Sequence, residues 1–307
     1  MIRIVTSLIL YVFGASVVFA QIQSEEITLH NNKIELPGTL SYSKENTPLI
    51  IWVHGSGPVD RDGNQPAQNV KSNYIKQFRD AINTKDIAFF SFDKRTANKN
   101  NHAFLKDTKV PDFALDAQAV INHFQNTKQF SEIILIGHSQ GSLVAMLAAK
   151  NIDKYISLAG AGETIDKTMI RQISKNNPTL GEAAKQQFDT LKIKGKIEVI
   201  NPFLRSVFAK PMQSFWYSWM LLNPLEEIKK LSIPVLIING DKDLQVQVKD
   251  AEALHMANSK SKLVIIKNMN HVLKDIQKEE DNLSSYYSDA FPISKKLIET
   301  INSFVKK

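Results

Sequence analysis

The feature that most constrains this chain is the pentapeptide Gly137-His138-Ser139-Gln140-Gly141. The apolar run Ile133 to Ile136 comes directly before it, and the helix-forming stretch Ser142 to Lys150 comes directly after it. Glycines on both sides of the serine allow the backbone to close into a sharp strand-to-helix turn that presents the hydroxyl. The pentapeptide therefore predicts an α/β fold in which Ser139 is a nucleophile at the end of a strand.

Short apolar runs recur along the chain and predict the strands of one sheet. They are Leu49 to Val53, Ile87 to Phe90, Ile133 to Ile136, Ile156 to Leu158, Pro234 to Ile238 and Leu263 to Ile266. Continuous apolar runs are typical of strands that helices cover on both faces. We therefore expect a parallel sheet that is buried on both sides.

The segments between these runs have helical periodicity. Apolar residues recur at helical spacing from Val70 to Ile82, from Phe113 to Phe124 and from Ile293 to Phe304. The segment Glu26 to Tyr42 alternates weakly instead, which predicts short antiparallel strands at the sheet edge. Together these patterns predict a three-layer, doubly wound, mostly parallel sheet.

Residues 161–231 interrupt this alternation, because they contain helical patterns and no strand pattern. We expect a helical lid inserted over the carboxyl ends of the strands, where α/β proteins bind ligands. The core domain would then comprise residues 21–160 and 232–307. Phe215, Trp216 and Trp219 lie in the predicted lid at helical spacing, so they fit either a substrate pocket or a packed core.

The first twenty residues predict a secretory signal peptide. Arg3 precedes an uncharged apolar run, Ile4 to Ala20, that ends in small residues. Export directed by this segment, followed by cleavage after Ala20, would release the chain into the periplasm or the medium without a stable membrane span. An uncleaved anchor is the alternative. The chain has no cysteine, which excludes disulfides and thiolate metal sites.

The excess of basic residues does not indicate a nucleic-acid partner. Lysine and arginine number 38 against 31 acidic residues, which gives a net charge of +7. The basic residues are scattered and form no dense block, as on a solvated surface.

A serine hydroxyl needs a base to become a nucleophile, and a histidine held by a carboxylate is the usual one. His271 follows the last apolar run, and Asp243 follows the run before it, with Asp241 as the alternative acid. Of the other histidines, His54 and His138 lie in glycine motifs, where we expect structural hydrogen bonds. The chain order is therefore Ser, Asp, His.

Attack on a carbonyl also requires donors for the oxyanion that forms. The N–H of Gln140, directly after the serine, is the first candidate. The loop His54 to Asn64 follows the strand at Leu49 to Val53 and carries the second, which we assign to Ser56 N–H with Gly55 as the alternative.

These motifs resemble the α/β-hydrolase superfamily. The serine pentapeptide, the Gly-x-x-Asp-x-x-Val pattern from Gly240 to Val246 and the pair Asn270-His271 carry the resemblance. The loop His54 to Asn64 and the triplet Asp93-Lys94-Arg95 are similar to a bacterial esterase branch described as serine aminopeptidase-like or dienelactone-hydrolase-like.

The resemblance implies a triad of Ser139, Asp243 and His271, and carboxylesterase activity without a metal or cofactor. The chain departs from the branch after Arg95, where Thr96 and the polar run Asn98 to Asn101 replace a common glycine.

Three functions follow as hypotheses. The first is hydrolysis of small-molecule esters through an acyl-enzyme. The second is cleavage of an amide or N-terminal peptide bond, which would need an acidic side chain for the substrate amine; the candidates are Glu163, Asp166, Glu226 and Glu227. The third is a binding protein whose activity has lapsed, and the complete set of serine, acid and base argues against it.

Overall fold

The computed structural model describes residues 21–307, so the predicted signal peptide at residues 1–20 lies outside the described residues. The strands in chain order are β1 Gln23–Asn31, β2 Ile34–Tyr42, β3 Leu49–Val53, β4 Ala88–Phe92, β5 Ile133–His138, β6 Lys154–Leu158, β7 Val235–Gly240 and β8 Lys262–Ile266. They form one sheet in the order β1-β2-β4-β3-β5-β6-β7-β8.

Strand direction follows the prediction. β1 pairs antiparallel with β2, and β2 pairs antiparallel with β4. The other neighbouring strands in the sheet are parallel. The mostly parallel sheet with antiparallel strands at one edge is confirmed.

Helices connect and cover these strands. Those of the described chain are α1 Tyr74–Asn83, α2 Val110–Thr127, α3 Gln140–Ala148, α4 Ile165–Asn176, α5 Pro178–Lys194, α6 Arg205–Phe208, α7 Lys210–Met220, α8 Pro224–Lys229, α9 Val248–Ala257, α10 Asp281–Ser284 and α11 Lys295–Val305. Short 3-10 turns occur at Pro66–Gln68, Lys99–Phe104 and Pro202–Leu204.

The central strand β3 shows how the three layers form. Successive side chains of a strand point to opposite faces of the sheet. Ile51 and Val53 pack into the cluster that contains α2, α3 and α9, whereas Ile50 and Trp52 pack into the cluster that contains α1 and α11. Each residue of β3 is buried, which is why the sequence reads as one continuous apolar run.

The sequence prediction is wrong for the last strand. β8 lies at the edge of the sheet, and Ile265 is 37% exposed, so this strand is not buried on both faces. The first predicted helix also begins later than expected, at Tyr74. Val70 pairs with Gln65 in a short bridge instead, and Ile293 pairs with Lys274 before α11 begins.

The segment between β6 and β7 consists of helices α4 to α8. α7 packs against α4 and α5, and it also contacts α2. The division into a core domain and a lid stays a prediction. Within residues 21–307, no helix combines the length and apolar character that a membrane span requires.

Candidate active site

Ser139 occupies the sharp turn that its flanking glycines predict. It lies between β5 and α3 with φ +55° and ψ −121°, a backbone conformation that side-chain-bearing residues rarely adopt. A Cβ on Gly137 would lie 2.3 Å from the carbonyl oxygen of Gly141, and one on Gly141 would lie 2.2 Å from that of Val53. Close backbone contacts therefore require glycine at both positions.

His271 and Asp243 meet where the loops after β8 and β7 come together. His271 Nδ1 lies 2.8 Å from Asp243 Oδ2, and the two side chains are 5% and 0% exposed. The other oxygen, Oδ1, accepts hydrogen bonds from the backbone N–H groups of Gln245 and Val246 at 2.7 and 2.8 Å. The carboxylate is thus fixed, with one oxygen committed to the loop and the other to the histidine.

Asp241 lies elsewhere. Its side chain is exposed, and its Oδ1 accepts from the backbone N–H of Asn268 at 2.7 Å. Of the two candidate acids, the structure brings Asp243 to His271, whereas Asp241 ties together the loops after β7 and β8.

Ser139 and His271 line one cavity of about 220 Å³, called here the histidine cavity, together with Tyr74 and Tyr286. Within residues 21–307, no hydrogen bond joins Ser139 Oγ to His271 in this conformation. Catalytic hydrogen bonds are often long without substrate and tighten when it binds.

Of the two histidines of the glycine motifs, His138 makes the structural hydrogen bonds that we expected, whereas the buried Nε2 of His54 has no hydrogen-bond partner in the described chain. His138 Nε2 donates to the carbonyl oxygen of His271 at 2.8 Å, and the Tyr74 hydroxyl approaches His138 Nδ1 at 3.3 Å. Burial lowers the pKa of His138 to about 3, and burial also lowers the pKa of His54 to about 3. Both rings are therefore neutral at physiological pH, and His138 supports the loop that carries His271.

Both residues predicted to stabilise the oxyanion lie beside the serine. Ser56, Ser139 and Gln140 line a second cavity of about 290 Å³, called here the serine cavity. Gln140 is the first residue of α3, so its N–H has no intrahelical acceptor. Gly55, the alternative donor, also lies close, since a Cβ on it would be 3.2 Å from the Cβ of Ser139.

The predicted aromatic residues divide between two cavities. Trp216 and Trp219 line the serine cavity with their rings stacked, 5.6 Å apart and 2° from parallel. Both also line a larger space of about 800 Å³, called here the aromatic cavity, which Phe113 and Phe215 line as well. Phe215 lies on this larger cavity and not on the serine cavity. Ser56 and Gln140 also line both cavities, so the two tryptophans form part of the boundary between them.

Three of the four acidic candidates for binding a substrate amine already form ion pairs with basic side chains. Glu163 lines the serine cavity, but its Oε1 accepts from Arg171 Nε at 2.8 Å. Glu226 and Glu227 form ion pairs with the lysines that follow in α8 and its carboxyl end. Asp166 lies in the first turn of α4, and its buried Oδ1 has no hydrogen-bond partner in the described chain.

Sequence reasoning missed two side chains. The ring of Tyr286 lies nearly parallel to that of His271, with centroids 6.5 Å apart. Lys94 donates from its buried Nζ to the Gly55 carbonyl oxygen and to Gln140 Oε1, each at 2.7 Å. Tyr286 follows α10 in a polar stretch without periodicity, so no pattern signals it. Lys94 belongs to the Asp93-Lys94-Arg95 triplet, but the sequence does not show which groups its side chain contacts.

Metal ligands are not clustered at this site. Across residues 21–307, the structure shows no group of three or more histidine, cysteine or acidic side chains that could hold a metal ion.

Known proteins resemble this chain over most of its length. The model of the BD-FAE family matches residues 38–257. Esterase EstD from Thermotoga maritima is 26% identical over 296 residues, which cover 93% of this chain and 68% of EstD.

Two solved structures are similar in fold. Est1E from Butyrivibrio proteoclasticus, in a structure with ferulic acid bound, has a TM-score of 0.61 at 20% identity, covering 92% of this chain and 100% of Est1E. The Pyrococcus furiosus esterase Pf2001 has a TM-score of 0.60 at 16% identity, covering 97% of this chain and 94% of that one.

Proposed function

This chain belongs to the BD-FAE family and is an α/β-hydrolase of the esterase kind, and we propose that it cleaves small-molecule carboxylic esters with Ser139, His271 and Asp243. The observation that carries the proposal is the 2.8 Å contact between His271 Nδ1 and Asp243 Oδ2 beside the cavity that contains Ser139. A neutral imidazole that donates through Nδ1 presents a basic Nε2, which is the state a serine nucleophile needs.

The proposed reaction proceeds through an acyl-enzyme. Ser139 Oγ attacks the ester carbonyl while its proton passes to His271 Nε2. The N–H groups of Ser56 and Gln140 stabilise the negative oxygen of the tetrahedral intermediate. His271 then returns the proton to the departing alkoxide. In the second half it takes a proton from the attacking water and passes it to Ser139 Oγ as the bond to the acid breaks.

The cavities suggest where each part of the ester binds. Because His271 must protonate the leaving oxygen, the alcohol part belongs in the histidine cavity, whose lining includes Gln65, Gln68 and Tyr286. The acyl part then belongs in the serine cavity, where Leu143 and Met169 provide an apolar wall.

Aromatic acyl groups are included in this proposal. The stacked pair Trp216 and Trp219 lines the serine cavity, and offset or edge contacts between aromatic rings are favourable. The likeness to Est1E, whose structure holds ferulic acid, is consistent with such an acid.

Truncation of Trp216 tests the placement of the acyl group. Trp216→Ala would join the serine cavity to the aromatic cavity, so we expect the preferred nitrophenyl ester to shift to a longer acyl chain. The measurement is kcat/KM across a series from acetyl to decanoyl. Phe203→Ala is the matched control, because Phe203 is 83% exposed in the same helical segment. An unchanged preference in the Trp216 variant would place the acyl group elsewhere.

The same assays distinguish the other hypotheses. Turnover of an aminoacyl nitroanilide in preference to the matched nitrophenyl ester would favour the amidase. If neither substrate is turned over and a serine-reactive phosphonate fails to label the protein, the lapsed binding protein is favoured.

We also propose that the chain is exported, on the strength of the signal pattern in residues 1–20. Cleavage after Ala20 would leave Gln21 as the first residue of the protein in the periplasm or medium. N-terminal sequencing of the fractionated protein tests this, and a membrane-bound chain that retains Arg3 would support the anchor instead.

A further inference from the structure

The triplet Asp93-Lys94-Arg95 directly after β4 is fixed at both of its ends. Asp93 accepts from Arg61 Nε and Nη2, each at 2.9 Å, in a two-pronged ion pair. Arg95 donates to the buried carboxylate of Asp116 on α2 at 2.6 and 2.7 Å. The backbone that carries Lys94 is therefore held between the loop after β3 and helix α2.

Lys94 points from this anchored position to the predicted oxyanion site. The residue is 6% exposed, and its Nζ lies 2.7 Å from both the Gly55 carbonyl oxygen and Gln140 Oε1. Nζ also lies 4.5 Å from the centre of the Phe113 ring, where a cation is attracted to the ring face. One buried amine thus joins the two backbone segments that carry the candidate oxyanion donors.

The contact with Gly55 acts on Ser56 through a single peptide group. The Gly55 carbonyl and the Ser56 N–H belong to the same planar unit, which has no cis bond, so they point in opposite directions. A donor fixed on the carbonyl oxygen therefore fixes the direction of the N–H. It also polarises the amide, which makes the N–H a stronger donor.

We propose that Lys94 is a positioning residue that holds the Gly55–Ser56 peptide so that its N–H faces the oxyanion formed at Ser139. The inference rests on the proposed function, since it assumes that an ester carbonyl is attacked by Ser139. Lys94 itself does not touch the reacting atoms in this account.

Lys94 can make its two hydrogen bonds in either protonation state. Burial lowers the pKa of Lys94 to about 7, and the carboxylate of Asp116 opposes that shift. Arg95 is paired with Asp116, and the buried His54 is neutral. Both the ammonium and the neutral amine have at least two N–H groups, so both forms can keep the two hydrogen bonds.

Replacement by methionine tests the proposal. Methionine has a similar length and needs no polar partner, so Lys94→Met is expected to fold, with kcat lower by about 10–100-fold and KM nearly unchanged. Lys94→Gln, which keeps an amide donor, is the second variant and should lose less. Wild-type kcat in folded Lys94→Met, or a loss in Lys94→Gln as large as that in Lys94→Met, would overturn the proposal. Ser139→Ala in the same series separates this failure from failure of the proposed function, since it stays inactive if only the Lys94 proposal fails and keeps activity if Ser139 is not the nucleophile.

Lys154→Met is the matched control. Lys154 is also buried, at 9% exposure, and its Nζ donates to Glu132 and to the carbonyl oxygen of Val305. It is the first residue of β6, at the amino end of the sheet and away from Ser139. This variant should lose stability comparable to the Lys94 variants but keep wild-type kcat.

Rescue with a small amine tests whether the hydrogen bonds are what was lost. Lys94 lines the aromatic cavity, so propylammonium can reach the space that Lys94→Ala leaves. We expect a saturable rise in kcat with propylammonium and none with 1-propanol, in this variant and not in the wild type. No rise, or an equal rise with 1-propanol, would overturn the proposal.

Discussion

Ser139→Ala should lower kcat for nitrophenyl esters by roughly 10⁴–10⁶-fold, the loss expected when a serine nucleophile is removed. The reason is that no other hydroxyl replaces Oγ at the strained turn between β5 and α3. The fold should be retained, because alanine is smaller than serine. The backbone N–H of residue 139, which donates to the Leu158 carbonyl oxygen at 2.9 Å, is also unchanged. Steady-state turnover and a thermal unfolding curve measure the two effects.

Ser43→Ala is a suitable control for this variant. Its hydroxyl donates one hydrogen bond, to Asp86 at 3.0 Å, and it lies just after β2 near the sheet edge. We expect its turnover to match the wild type. Retention of esterase activity by folded Ser139→Ala would mean that another group is the nucleophile.

Asp243→Asn should lower kcat by about 10³–10⁴-fold while leaving the loop in place. The N–H groups of Gln245 and Val246 require an oxygen at the Oδ1 position, so the new amide nitrogen must take the place of Oδ2. That nitrogen donates to His271 Nδ1 and leaves the ring proton on Nε2. The histidine then has no free basic nitrogen for the Ser139 proton.

Asp241→Asn decides between the two acids that the sequence left open. Its side chain is exposed and bonds Asn268 rather than His271, so kcat should remain near the wild-type value. The comparison requires kcat for both variants under one set of conditions. A large loss in Asp241→Asn with little change in Asp243→Asn would reverse the assignment.

The sheet was predictable because each of its signals is local. β3 is buried on both faces and therefore leaves a continuous apolar run, and the antiparallel edge leaves a weak alternation. The turn at Ser139 was predictable for the same reason, since its tight backbone contacts require glycine at two fixed positions. The sequence also shows that Asp243 and His271 each directly follow one of the last two strands.

The order of strands in the sheet leaves no such local signal. Nothing in the run Leu263 to Ile266 shows that β8 lies at an edge, so its exposure was missed. The same is true of contacts made across long stretches of chain. Lys94 reaches Gly55 and Gln140, and Tyr286 reaches His271, only because the fold brings distant loops together.

The position of a covalent adduct identifies the nucleophile directly. The wild-type protein is treated with a serine-reactive phosphonate, digested and analysed by peptide mass spectrometry. We expect one adduct, on the peptide that contains Ser139, and a parallel loss of esterase activity. An adduct on a different residue that accompanies the loss of activity, or ester turnover that persists after Ser139 is fully modified, would contradict the assignment of Ser139.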